Sequence, residues 1–197
     1  IKSLKIPIPP LVEQQKIYKY LDQEIRTINL LIEKQTNLIR LLEEKKKSLV
    51  MTVICKGLNL NVSMKDSGLA WIGEIPHHWR LRRLSQLFSV QKGKRSQKLT
   101  KEFCSNNSGD YPVYSGQTAR EGVMAHINSF DFETGPEGVI ICTTVGSKAM
   151  STQYIKGRFN LSQNCMAISA KDDSCLLDYF QYSFSYIFEL ERMKIPN

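Results

Sequence analysis

Between Leu11 and Lys56 the chain holds neither glycine nor proline, and one periodicity runs through the whole stretch. Alternating steps of four and three from Leu21 fall on Ile25, Ile28, Ile32, Gln35, Ile39, Leu42, Lys46, Leu49 and Val53, and eight of these ten positions are apolar. Stepping backward gives Tyr18, Gln14 and Leu11 in the same register. Apolar residues at this spacing put a narrow stripe on one side of a helix about 65 Å long. A lone helix of that length cannot bury its own stripe. The spacing therefore predicts a coiled coil over residues 11–57, with Gln35 and Lys46 restricting register and partner choice. A helix lying along a globular core is the other way to cover the stripe. The rest of the chain offers no comparable helix, so the facing strand would come from a second copy or from further sequence.

Both ends of this helix carry stop signals. Pro9-Pro10 can occupy a first turn, where a missing N–H costs nothing. Gly57 supplies a left-handed cap at the far end, with Lys45, Lys46, Lys47 and Lys56 near the negative pole of the helix dipole. Residues 1–10, IKSLKIPIPP, alternate apolar and polar before the prolines, which predicts a short strand.

Beyond Gly57 the pattern changes. Residues 58–68 are polar and turn-like; then come "YPVYSGQT" (111–118), "GVIICTTVGS" (138–147), "STQYIKG" (151–157) and "NCMAISA" (164–170). These runs, rich in Val, Ile, Tyr and Thr and punctuated by glycine, read as half-buried strands. Helical spacing returns from Asp173 to Met193, with Leu177, Phe180, Phe184, Ile187 and Leu190 as the expected buried face. The expected fold class is α+β: a mixed, glycine-punctuated β domain over 58–197 attached to one long coiled-coil helix over 11–57.

The net charge is +8 with pI near 9.2, which favours a polyanionic partner, nucleic acid first. The charge is uneven: Arg80 to Lys101 holds eight basic residues and no acidic one. Five cysteines, an odd number without a CxxC pair, argue against a disulfide framework or zinc site and suit a reducing cytoplasm. No apolar run approaches the roughly 20 residues of a membrane span, and no signal-peptide pattern opens the chain. Opening on Ile1-Lys2, it reads as a piece of something longer.

Catalytic signatures are missing from the sequence. There is no GxGxxG or Walker loop, no HExxH, no deaminase pattern and no GxSxG elbow. His77-His78 follows a proline without cysteine or acidic partners at ligand spacing, so it reads as solvated turn residues, and His126 reads as structural. No residue is assigned a catalytic or metal-binding role.

Two segments carry a family resemblance. "IPIPPLVEQQKIYKYLDQEIRTINLLIEKQTNLIRLLEEKKKSLV…KGL" is followed by "MKDSGLAWIGEIPHHWRLRRL". Together they resemble the specificity subunit of type I restriction–modification systems, in which a PPxxEQ segment opens a spacer helix. A KDSGxxWxGxIPxxW segment then leads into the next target-recognition domain. The match is close over about residues 5–88 and loose beyond. The resemblance implies a non-catalytic subunit that reads double-stranded DNA. In such a subunit two recognition domains are joined and spaced by two antiparallel helices. S-adenosylmethionine chemistry would belong to modification subunits, and ATP- and Mg-dependent translocation and cleavage to a restriction subunit; no cofactor is expected on this chain. With one helix and one domain it reads as half a subunit, an arrangement compatible with circular permutation. Residues 1–10 would be the terminal strand of a preceding recognition domain, and the domain at 58–197 looks truncated at its end. The partner helix, from a second copy or the missing half, would pack antiparallel.

Trp71 and Trp79 flank Gly73 and Pro76, a turn that redirects the chain from helix to domain. The two indoles are expected to lock that joint. Lys92, Lys94, Arg95, Lys98 and Lys101 are expected to neutralise phosphates. Gln117, Arg120, Lys148 and Arg158 are candidates for base contacts, because forked or amide side chains at strand ends can reach base edges. Two other readings compete: a coiled-coil adaptor with a protein-binding β domain, and a fragment of a DNA-modifying enzyme.

Overall fold

The computed structural model describes residues 3–59, 61–116, 119–145 and 149–193, excepting the side chains of 119, 120 and 193. The chain divides into two compact units, Ile1–Ser48 and Leu49–Asn197.

The first unit is dominated by helix α1, Leu11–Lys56, which runs 46 residues without a break. Its start follows from the PPxxEQ segment. Pro10 O accepts from the backbone N–H of Glu13 and Gln14 at 2.9 and 3.0 Å, and the Gln14 amide donates to Pro9 O at 2.7 Å. Every expected seam residue from Leu21 to Leu49 is exposed within the single chain. Ile17, Leu31 and Leu38, one position before the seam in three heptads, are exposed as well. The apolar face is therefore broader than the narrow stripe expected, which suits a helix embraced by more than one surface. Residues 4–10 form no strand: Leu4, Ile6 and Ile8 are each about three-quarters exposed (74–79%), and the backbone has no ladder partner among the described residues. A strand exists only with a neighbour, and alternation alone cannot provide one.

The second unit opens with the last turns of α1, which end at Gly57 in the left-handed region (φ +76°), its N–H bonded to Val53 O at 3.0 Å. Val53 is half-buried here, unlike the rest of the seam. A ribbon of Met64–Asp66 (β1) and Glu74–Pro76 (β2) follows, paired antiparallel with Lys65 opposite Ile75. Next come Leu84–Leu87 (α2), Phe88–Gln91 (β3), Lys101–Asn106 (α3) and Ser108–Tyr114 (β4). A 3-10 turn at Ala119–Gly122 leads to Val123–Ile127 (β5), Phe132–Glu133 (β6) and Val139–Thr143 (β7). Thr152–Ile155 (β8), Arg158–Leu161 (β9), Cys165–Ala170 (β10) and Leu177–Met193 (α4) complete it.

Two four-stranded sheets result, ordered β3-β10-β7-β8 and β5-β4-β9-β6. The first is antiparallel; in the second, β4 and β9 run parallel. The fold is α+β. Strand β7 explains why "VII" reads as a continuous apolar run. Val139 and Ile141 enter the core between the sheets with Phe159 and Leu161, while Ile140 enters a second core under α4 with Phe88, Leu177 and Phe184. A strand covered on both faces loses its alternation. On α4, Leu177 and Phe184 are buried, and Phe180, Ile187 and Leu190 are half-buried. Phe88 packs edge-on against Phe180 and Phe184 at 4.8 and 5.0 Å. A third cluster, Leu99, Cys104, Val113 and Ile127, seats α3 on the outer face of the second sheet. All five cysteines are unbridged. Burial pushes the Cys142 and Cys165 thiols up to about 11.

Candidate nucleic-acid interface

The basic segment after β3 is held in shape by its non-basic residues. Leu99 is buried in the third cluster and Thr100 caps α3, its side chain accepting from Phe103 N–H at 3.1 Å. Successive turns tighten the loop: Ser96 N–H donates to Gly93 O at 3.1 Å and Lys98 N–H to Arg95 O at 2.8 Å. Gly93 is required by close approach, because a Cβ there would lie 3.0 Å from Leu161 O and 3.2 Å from Asp131 Oδ2. With its ends pinned, the segment leaves Lys92, Lys94, Lys98 and Lys101 exposed.

Arg95 does something different from its neighbours. Its Nε donates to Asp131 Oδ1 at 2.7 Å, one terminal nitrogen to Ser129 Oγ at 2.8 Å, and the other to Asn160 Oδ1 at 3.2 Å. The Arg95 backbone N–H meets the second oxygen of the same carboxylate at 2.9 Å. The Asp131 side chain is 5% exposed, and fully buried Asn160 donates in turn to Ser129 O at 2.8 Å. A guanidinium whose fork is filled by three side chains is an internal anchor. Arg95, expected to contact phosphate, is thus engaged by partners within the chain, and it positions the loop on which four lysines face solvent.

Arg158, expected to touch bases, is exposed but engaged. Its terminal nitrogen lies 2.8 Å from Glu133 Oε1, and its guanidinium stacks 4.8 Å from the Phe130 ring. Hydrogen bonds to Tyr111 and Glu133 raise its already high pKa. That local pairing weakens the expectation of a free base-reading fork. Arg120 stands in the 3-10 turn after β4, and Gln117 and Lys148 lie outside the described residues.

Both tryptophans are half-buried beside the end of α1. A groove of about 430 Å³ is lined by Ile54 and Cys55 of the helix, by Trp71 and Trp79, and by Phe180 and Phe184 of α4. A Cβ on Gly57 would sit 3.3 Å from Trp79 Cζ2, so the indole lies directly on the helix cap. The turn expected between the tryptophans is more elaborate than a bend. Asp66 Oδ1 accepts from Gly68 N–H at 2.9 Å, and Ser67 N–H donates to Gly73 O at 3.0 Å, which closes the β1–β2 ribbon.

The sequence pattern left several site residues unmarked. Asp131 and Asn160 sit 36 and 65 residues from Arg95, so no local signal links them. Among the described residues no cluster of three or more His, Cys, Asp or Glu side chains could hold a metal ion. No described helix is long and apolar enough to cross a membrane.

Comparison with known families adds the deciding observation. The family model described as "Type I restriction modification DNA specificity domain" matches residues 1–41 and 76–197. The chain belongs to this family. Among its relatives, the type I restriction enzyme MjaVIII specificity subunit of Methanocaldococcus jannaschii is 37% identical over 108 residues, which is 53% of this chain and 23% of that protein. The crystal structure of a type I restriction-modification system S subunit from M. genitalium shares the fold, with TM-score 0.52 at 16% identity, over 86% of this chain and 42% of that one. A structure described by complex assembly and conformational transition of the type I R-M system also has TM-score 0.52, at 19% identity over 96% of this chain and 45% of that one. This specificity-domain chain thus spans less than half the length of each of these proteins.

Proposed function

We propose that this chain is a non-catalytic DNA target-recognition component of a type I restriction–modification system, reading one half of a bipartite site. The observation that carries this is the lysine loop: four exposed cations on a segment fixed by the Arg95–Asp131 anchor, in a chain of the DNA specificity family. Lysines on a rigid support can set orientation on the phosphate backbone without encoding sequence.

The exposed apolar face of α1 supplies the second part of the reading. Packed antiparallel against an equivalent helix, from a second copy or the missing half, it would hold two recognition domains at a set separation. Trp71 and Trp79 would stiffen the exit from that helix. Modification subunits with S-adenosylmethionine, and a restriction subunit with ATP and Mg, would carry the chemistry in the cytoplasm.

The test is binding of the chain, with modification subunits, to random-sequence duplexes followed by titration across salt. Enrichment of one bipartite sequence, with affinity falling linearly in log-log salt dependence, supports the reading. Binding to duplex DNA that ignores both salt and sequence would refute it.

A further inference from the structure

We infer that a polar cleft beside the lysine loop reads base edges of duplex DNA, an adenine·thymine pair among them. The inference rests on the DNA-reading role proposed above and assigns residues to it. The cleft, about 420 Å³, opens where the loop after β3, the end of β4 and the turn between β9 and β10 converge. Gln97 of the first element, Lys101 at the start of α3, and Gln163 and Asn164 of the last line it, with apolar surface from Leu99, Met124 and Val145.

The elements meet closely. A Cβ on Gly116 would lie 3.4 Å from Val145 O and 3.7 Å from Asn164 Cβ, and Thr144 N–H donates to Asn164 O at 2.8 Å. The amide side chains are thus carried by a turn bonded into the sheet end. Ser162 also lines the cleft, 6% exposed. Among the described residues its hydroxyl finds no partner better than the weak thiol of neighbouring Cys165.

The chemistry of the lining matches one ligand class. Amide side chains pair bidentately with adenine N6 and N7, apolar surface takes the thymine methyl, and lysine reaches guanine O6 and N7 or a phosphate. Three amides with an apolar patch favour an adenine·thymine pair. Lys98, outside the cleft lining but on the same loop, is left for the backbone. The cleft therefore divides the labour: cations on its flank grip phosphate, amides inside it discriminate.

Gln97 and Gln163 are exposed, so alanine at either leaves the core intact. Full-length wild type, Gln97→Ala, Gln163→Ala and Lys98→Ala, each with modification subunits, are put through selection from a random duplex pool. Kd for the selected duplex is then titrated across salt. Either glutamine variant is expected to lose adenine·thymine preference at one or two positions by about tenfold, with the salt slope unchanged. Lys98→Ala should weaken all duplexes alike and reduce the slope by about one. Selected sequences identical to wild type in both glutamine variants, or uniform weakening with a shallower slope, would overturn the cleft assignment. If wild type itself selects no sequence, the DNA-reading role fails and the cleft with it.

Discussion

Arg95 and Asp131 are joined twice: one carboxylate oxygen takes the guanidinium Nε at 2.7 Å and the other takes the backbone N–H of the same arginine at 2.9 Å. Locking both the side chain and the backbone of one residue fixes a loop more firmly than a side-chain pair alone. Removal of the carboxylate in Asp131→Ala leaves a partly buried guanidinium and an N–H without their acceptor. Because Arg95 keeps 31% of its side chain in water, the expected loss is about 2–3 kcal/mol, below that of a fully buried pair. Urea denaturation measures it. Asp131→Asn, which can still accept the N–H, should lose less, and Arg95→Lys should lose the Ser129 and Asn160 bonds that need a fork.

The four exposed lysines should behave additively. Each of Lys92→Ala, Lys94→Ala and Lys98→Ala is expected to lower duplex affinity irrespective of sequence and to reduce the salt slope by about one. Fluorescence anisotropy at several salt concentrations distinguishes this from a folding defect, which would leave the slope of the surviving fraction unaltered.

At the helix exit, Gly57 has φ +76°, and a Cβ placed on it would lie 3.3 Å from Trp79 Cζ2. Gly57→Ala should cost about 1 kcal/mol, from left-handed strain together with displacement of the indole. Trp79→Ala, which empties half-buried apolar volume, should cost about 2–3 kcal/mol. Thermal melting of the two single variants and the double variant tests the contact itself: the double change should cost less than the sum, because the Cβ has no indole left to meet.

Stability should decline at high pH through the thiols. Burial raises Cys142 and Cys165 to about 11 from an ordinary 9.0. With the folded pKa above the unfolded one, the folded state holds the proton longer. The contribution is complete below pH 9 and is lost as pH rises through about 11. Melting temperature measured from pH 8 to 11 should fall, and a Cys142→Ala, Cys165→Ala variant should show a shallower decline from its own lower starting point.

Lengthening α1 tests the spacing role. One added heptad extends a helix by about 10 Å, close to three base-pair steps. In the assembled subunit the unread spacer of the preferred site should grow while both half-sites stay the same. An unchanged spacer would remove the helix from any measuring role.

The long helix was fully legible, from its proline start to its glycine stop, because its signals are local. Spacing, capping residues and the absence of breakers lie within a few positions of one another. Strands β7, β8 and β10 and helix α4 were legible for a related reason: their apolar content is dense enough to announce burial. Strands β5, β6 and β9 were not. In β9 the run Phe159-Asn160-Leu161 is buried throughout, yet its asparagine reads as a surface residue until Arg95 and the Ser129 carbonyl are seen to satisfy it.

What the chain's order of residues determined by itself was therefore its rod, its charge distribution and its family signature. Only tertiary structure decided which basic residues stand exposed and which are paired within the chain. It turned Arg95 inward onto Asp131, paired Arg158 with Glu133, and gathered Gln97 and Gln163 into one cleft. The reason is physical: a charge's availability depends on what the fold brings within about 3 Å of it, and those partners lie tens of residues away along the chain.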